Sequence, residues 1–177
     1  MPQLHQYSVD LTWTGARRFG TTSFTAYGRD HELRAGDRPV ILATSDPHFR
    51  GDPRRWSPED LLVASLAQCH MIWLLHLAAR DGVAIIGYTD TAAGTIRVEA
   101  AGQGHFTEVA LHPRVSVESG AVLPDGSPVT DDVLARLHDE AQEHCFVARS
   151  VNFPVRVQPA PLAYAEPLTV PTAHDEA

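Results

Sequence analysis

Polar and apolar residues alternate from Leu4 to Thr14 and again from Gly20 to Tyr27, with Thr, Phe, Val and Tyr enriched. This pattern predicts two paired strands joined by a turn at Gly15-Ala16-Arg17-Arg18. Pro39 to Thr44 reads as a third strand, and the Pro- and charge-rich stretch Ser45 to Trp56 as an exposed loop. Ser57-Pro58-Glu59-Asp60 then opens a helix: Ser57 is a capping residue, Pro58 suits the first helical position, and two acids occupy the turn where the helix dipole favours negative charge. The helix is expected to run to about Arg80, with Asp81-Gly82 as its stop. It is apolar on nearly every side, which predicts a central element packed on more than one face.

Two further strand-like runs, Ala84 to Ala100 and His105 to Glu118, flank the turn Gly102-Gln103-Gly104 and predict a hairpin. Thr130 should cap a second helix, on which Val133, Leu137, Ala141 and Cys145 recur every fourth residue and so face inward, with Asp139, Glu140 and Glu143 outward. Phe153 to Gln158 reads as a closing strand. The expected organisation is a single α+β domain over residues 1–158, an antiparallel sheet packed on a long buried central helix, followed by a Pro-containing surface tail over 159–177.

Composition narrows the function. The chain has 177 residues, a formal charge of −8 and a pI of about 5.6. Lysine is absent and the arginines are scattered, which excludes the clustered positive charge of a nucleic-acid surface. Leu61 to Ala79 is long enough to suggest a membrane span, but Ser65, Gln68, His70 and His76 within it favour a soluble core helix. The opening residues Met-Pro-Gln-Leu-His-Gln carry no basic region followed by an apolar one, so the expected address is the cytoplasm. Neither a Walker loop nor a dinucleotide fingerprint occurs, and no cofactor or metal is expected.

There are only two cysteines, Cys69 and Cys145. Without an export signal, they read as reduced thiols or a redox pair. Each falls on an inward helix face, so one packing event could join them; a buried inert thiol is the competing interpretation. A nucleophilic Cys69 would need a cation, because apolar surroundings favour the neutral thiol. The helix dipole helps little at mid-helix, and eight arginines between Arg17 and Arg55 are candidates.

Several landmarks occur together and in order: Gly28-Arg29-Asp30 after an early strand, Ser57-Pro58-Glu59-Asp60-Leu61-Leu62 opening the central helix, Cys69 ten residues beyond Glu59, and Cys145 near the end of a later helix before a terminal strand. In these respects residues 20–158 resemble the OsmC/Ohr family of peroxide-detoxifying proteins. The resemblance implies an intertwined α+β homodimer and a thiol-dependent peroxidase that reduces organic hydroperoxides; Leu62, Leu66, Ile72 and Trp73 near the sulfur suggest an apolar pocket, so hydrogen peroxide should be reduced less well. It makes Cys69 the peroxidatic cysteine, Cys145 the resolving cysteine, Arg29 the arginine that stabilises the thiolate, and Glu59 the carboxylate that orients Arg29. It also implies an external dithiol reductant, either a small molecule or a lipoylated protein. The chain departs from the family's usual pattern at two places, His70 after Cys69 and Phe146-Val147 after Cys145.

Helix geometry adds a constraint. Ten residues of continuous helix separate Glu59 from Cys69 by about 15 Å, too far for both to meet one guanidinium from one straight helix. Either the helix breaks between them, or Arg29 and Glu59 serve Cys69 of a second subunit. Other interpretations remain beside the peroxidase. The first is a dimeric hydrophobic-ligand-binding or redox-sensing protein without sustained turnover. Another is a Cys/His zinc site built on Cys69-His70 and His144-Cys145, and a third is a Cys-His hydrolase using His76 or His144.

Overall fold

The computed structural model describes residues 3–166. They form two compact units that divide between Leu62 and Val63, with one helix running across the division.

In the first unit β1 (Asp10–Trp13), β2 (His31–Arg34) and β3 (Ile41–Ala43) make an antiparallel sheet in that order. The expected pairing of Leu4–Thr14 with Gly20–Tyr27 is not formed: β1 pairs with β2, Leu11 opposite Leu33 and Trp13 opposite His31. Residues 15–28 instead make a looped excursion, closed at its neck where the Gly28 amide donates to Gly15 O at 2.8 Å. A Cβ on Gly15 would lie 2.1 Å from Gly28 O, so only glycine permits this closure. Left-handed backbone at Arg17 (φ 51°) and Gly20 (φ 57°) breaks the extended run that the alternation suggested. Cross-strand register puts Leu11, Trp13, Leu33 and Ile41 on one sheet face. On that face Leu11 stays 64% exposed and Trp13 42%.

The helix α1 (Pro58–Arg80) starts where expected. Ser57 Oγ accepts from the Asp60 amide at 3.1 Å, while the Asp60 carboxylate accepts from the Ser57 amide at 3.0 Å and its hydroxyl at 2.9 Å. This reciprocal cap satisfies donors that the first turn would otherwise leave free. The length and composition of α1 would allow it to cross a membrane. Its fully buried residues, Leu66, His70, Leu74, Leu77 and Ala78, form one stripe. Burial on several sides was expected, yet in the single chain Ile72 is 58% exposed and Leu75 38%.

The second unit holds two three-stranded sheets. Each long strand-like run is split between them: β4 (Ile85–Asp90) and β5 (Ala93–Val98) from the first, β6 (Gly104–Leu111) and β7 (Pro113–Glu118) from the second. β5 and β6 form the expected hairpin across the glycine turn, whereas β4 pairs antiparallel with β7. β8 (Val155–Val157) adds to β6 and β9 (Ala163–Ala165) to β7, both parallel, so the sheets are mixed. The fold class is α+β. β9 comes from the segment read as tail, and Leu162 beside it enters the core. Residues 167–177 of that segment lie outside the described residues. Inward residues of β7 (Val115, Val117) pack with Leu74, Leu77 and Ala78 of α1 and with Leu134, Leu137 and Ala141 of the second helix, α2 (Asp131–His144).

Between the two helices lies a buried polar contact. His70 Nε2 and His138 Nδ1 are 2.9 Å apart, with 1% and 3% of each residue exposed. The ring planes differ by 5° and the centroids by 5.2 Å, a separation accounted for by the N···N distance plus two ring radii. The imidazoles therefore meet edge to edge through one N–H···N bond and do not stack. Burial, reinforced for His70 by the neighbouring His138, lowers the pKa of each from 6.5 to about 4. A base whose folded-state pKa is depressed binds fewer protons folded than unfolded, so its contribution is present above 6.5 and is lost as pH falls toward about 4. Urea unfolding at pH 7 and pH 5 should show a larger acid loss of stability in the wild type than in a His70→Leu/His138→Leu double variant. Equal losses would contradict the assigned protonation states.

Candidate functional site

Cys69 sits in the fourth turn of α1, one residue before the buried His70. Cys145 is the C-cap of α2, where its amide still donates to Gln142 O at 3.3 Å while its backbone turns extended. Its inward position continues the buried stripe Leu134, Leu137, His138 and Ala141. The two cysteines are neighbours, both as free thiols. Burial first, and then interaction with the Cys69 side chain, push the Cys145 thiol up to about 11. The Ala148 amide, donating to Cys145 Sγ at 3.4 Å, opposes that rise in part.

The sulfur of Cys69 opens on a cavity of about 470 Å³ lined by Ser65, Gln68, Ile72, Trp73, His76, Phe146 and Val147. Its length follows the helix: residues 65, 69, 72, 73 and 76 recur at three- and four-residue spacing and share one face. Trp73 is the centre of the wall. Its ring meets His76 and Phe146 edge to face, at 5.6 and 5.5 Å, and His144 at a tilt of 42° and 5.1 Å. Mostly apolar walls and a few polar groups near a thiol suit a ligand with an apolar body and one reactive polar end.

The expected activating pair is not joined within the chain. Arg29 Nη1 donates to Phe24 O at 3.1 Å and Tyr27 O at 2.9 Å, and its guanidinium lies over both aromatic rings, 4.5 Å from Phe24 and 4.2 Å from Tyr27. Among the described residues it makes no ion pair with Glu59, whose Oε2 is buried without a hydrogen-bond partner. Asp30, beside Arg29, lies 3.7 Å from Arg55 instead. α1 is unbroken from Pro58 to Arg80, so the helix break that would have let Glu59 and Cys69 share one guanidinium within a chain does not occur.

The histidines beside the cysteines have other partners. His70 bonds to His138, and His144 Nδ1 donates to Glu140 O at 2.9 Å. Among the described residues no three His, Cys, Asp or Glu side chains gather as a metal site. Sequence reasoning named Gln68 and Phe146 without placing them in the cavity wall, and it missed His138. His138 was within reach of it, since it lies four residues after Leu134 and three before Ala141 on the inward face of α2.

The OsmC-like protein family model matches residues 51–160. No curated protein matches the chain. Among solved structures, an OsmC-like protein of unknown function from Vibrio cholerae superposes with a TM-score of 0.74 at 29% identity, covering 89% of this chain and all of that one. An organic hydroperoxide resistance protein OsmC from Legionella pneumophila and an organic hydroperoxide resistance protein from Elizabethkingia anophelis each give a TM-score of 0.63, at 14% and 15% identity, covering 93% of this chain and all of theirs. Those two share the fold. With the matched segment holding α1, α2 and both cysteines, this chain belongs to the OsmC-like family.

Proposed function

We propose that the protein is a thiol peroxidase for organic hydroperoxides. The observation that carries this reading is the juxtaposition of its only two cysteines, one of which, Cys69, lines an apolar cavity. The family is linked to hydroperoxide resistance through relatives that carry that name. In the proposed cycle the Cys69 thiolate attacks the distal peroxide oxygen. A sulfur–oxygen bond forms as the O–O bond breaks, and the leaving alkoxide takes a proton to become an alcohol. Cys145 then attacks the resulting sulfenic acid, giving a Cys69–Cys145 disulfide and one water. An external dithiol returns two electrons and two protons. Cys145 keeps its proton until its partner has reacted, because burial and the neighbouring Cys69 both disfavour its thiolate. Cys69 is thereby left as the attacking sulfur.

The cation for Cys69 is assigned to Arg29 with Glu59, reaching it from a second copy of the chain. Three features support a homodimer: the unbroken helix, the unpartnered Glu59 Oε2, and the apolar surface left open on α1 and on the first sheet. A sensor without sustained turnover is the competing reading, and kinetics separates the two.

With added dithiol, the wild type should consume an organic hydroperoxide over many cycles, Cys69→Ser should consume none, and Cys145→Ser should stop at a Cys69 sulfenate. Oxidation in the wild type that ends after one equivalent would favour the sensor. Arg29→Ala and Cys69→Ser homodimers should each be inactive, yet regain about a quarter of wild-type activity when their subunits are exchanged, because half the dimers then hold one complete site of two. No recovery on exchange would place the arginine and the thiol in the same chain.

A further inference from the structure

We infer that the His70–His138 hydrogen bond is a positioning pair that fixes how α2 sits along α1 and so holds Cys145 against Cys69. The inference rests on the proposed reading of the two sulfurs as a redox pair. Several observations lead to it. Both imidazoles are buried in an apolar core, yet each has only one partnered nitrogen: His70 Nδ1 and His138 Nε2 have no hydrogen-bond partner. Whichever ring donates, one N–H and one lone pair remain stranded. For filling space, two apolar side chains would avoid that cost. What an N–H···N bond supplies and an apolar contact lacks is direction. Sliding or turning α2 against α1 breaks the bond and leaves four ring nitrogens unsatisfied in the core, so one register is favoured over its neighbours.

The place of the pair suits that role. His70 is the residue after Cys69, and His138 lies two helical turns before Cys145. Among the described residues, the other side-chain ties from α2 to this part of the chain are solvent-exposed and at the far end of α1, from Glu140 to Arg80 and from Arg136 to Asp81 just beyond the helix. Cys145 is the helix cap, with backbone already extended, so α2 must be held upstream for its sulfur to stay in place. Disulfide closure demands Cα atoms within about 4.4–6.8 Å and converging Cβ directions, a tolerance that small helix shifts exceed. The pair thus acts on the second step, when Cys145 closes on Cys69, and leaves the first untouched.

The test measures closure without peroxide. In a glutathione redox buffer the protein dithiol passes two electrons and two protons to glutathione disulfide, giving the Cys69–Cys145 disulfide and two glutathione thiols. The equilibrium reports the effective concentration of one thiol toward the other. The His70→Leu/His138→Leu variant should lower it by about tenfold, while Cys69 reacts with an organic hydroperoxide within about twofold of the wild-type rate. His138→Asn, whose amide nitrogen can replace Nδ1 opposite His70, should restore it to within about twofold, a rescue that mere space-filling would not give. An unchanged effective concentration in the double variant overturns the inference, as does Asn behaving like Leu. A wild type that closes its disulfide in glutathione but turns over no hydroperoxide refutes the peroxidase reading and leaves this comparison intact.

Discussion

The packing of α2 against the inner stripe of α1 decides where the two sulfur atoms of this chain lie. Cys69 is fixed by the middle of a long helix, with Leu66, Leu74 and Leu77 buried on neighbouring turns. Cys145 is fixed only through α2, whose stripe of Leu134, Leu137, His138 and Ala141 beds on the same core as Val115 and Val117. Side chains in such an interior interdigitate at crystal-like density, so the sulfur-to-sulfur approach is inherited from contacts several turns away. The cavity follows from the same packing. Residues beyond the α2 cap, Phe146 and Val147, close over the helix face that carries Cys69, Ile72 and Trp73.

This arrangement gives the two thiols unlike environments from one contact. Cys145 is fully buried and its proton is held tightly, whereas Cys69 is half-buried and opens on the cavity. A peroxide entering the cavity meets Cys69 first. The order of the proposed chemistry, attack by one sulfur and resolution by the other, is therefore a consequence of which helix is central and which ends early.

Much of this was legible in the sequence, for identifiable reasons. The start of α1 was written in Ser57-Pro58-Glu59-Asp60, where local capping chemistry decides the outcome. The inward position of Cys145 followed from the period of α2, although the buried face is centred on Leu134 and His138 and not on Val133. The first sheet was misread because alternation in Gly20–Tyr27 counts for less than the Gly15–Gly28 closure and the left-handed backbone at Arg17, neither of which a period of two reveals. Splitting of the two long runs into four strands was hidden for a similar reason, since alternation says which face a residue takes and not which sheet. The His70–His138 bond was out of reach because it joins residues 68 positions apart.

The surface that stays apolar is the counterpart of that core. In one chain α1 buries a single stripe, and the face of the first sheet that holds Leu11 and Trp13 is open. Glu59 keeps a buried carboxylate oxygen without a donor. In the proposed homodimer a second copy would cover the two apolar surfaces, and its Arg29 and Glu59 would face Cys69. The central claim concerns the sulfurs, and it is tested most directly by intact and non-reducing peptide mass spectrometry after one equivalent of an organic hydroperoxide. The account predicts loss of two hydrogens per chain and a single cross-linked peptide containing Cys69 and Cys145. Unchanged mass, or oxygen retained on Cys69 with Cys145 still alkylatable, would contradict it.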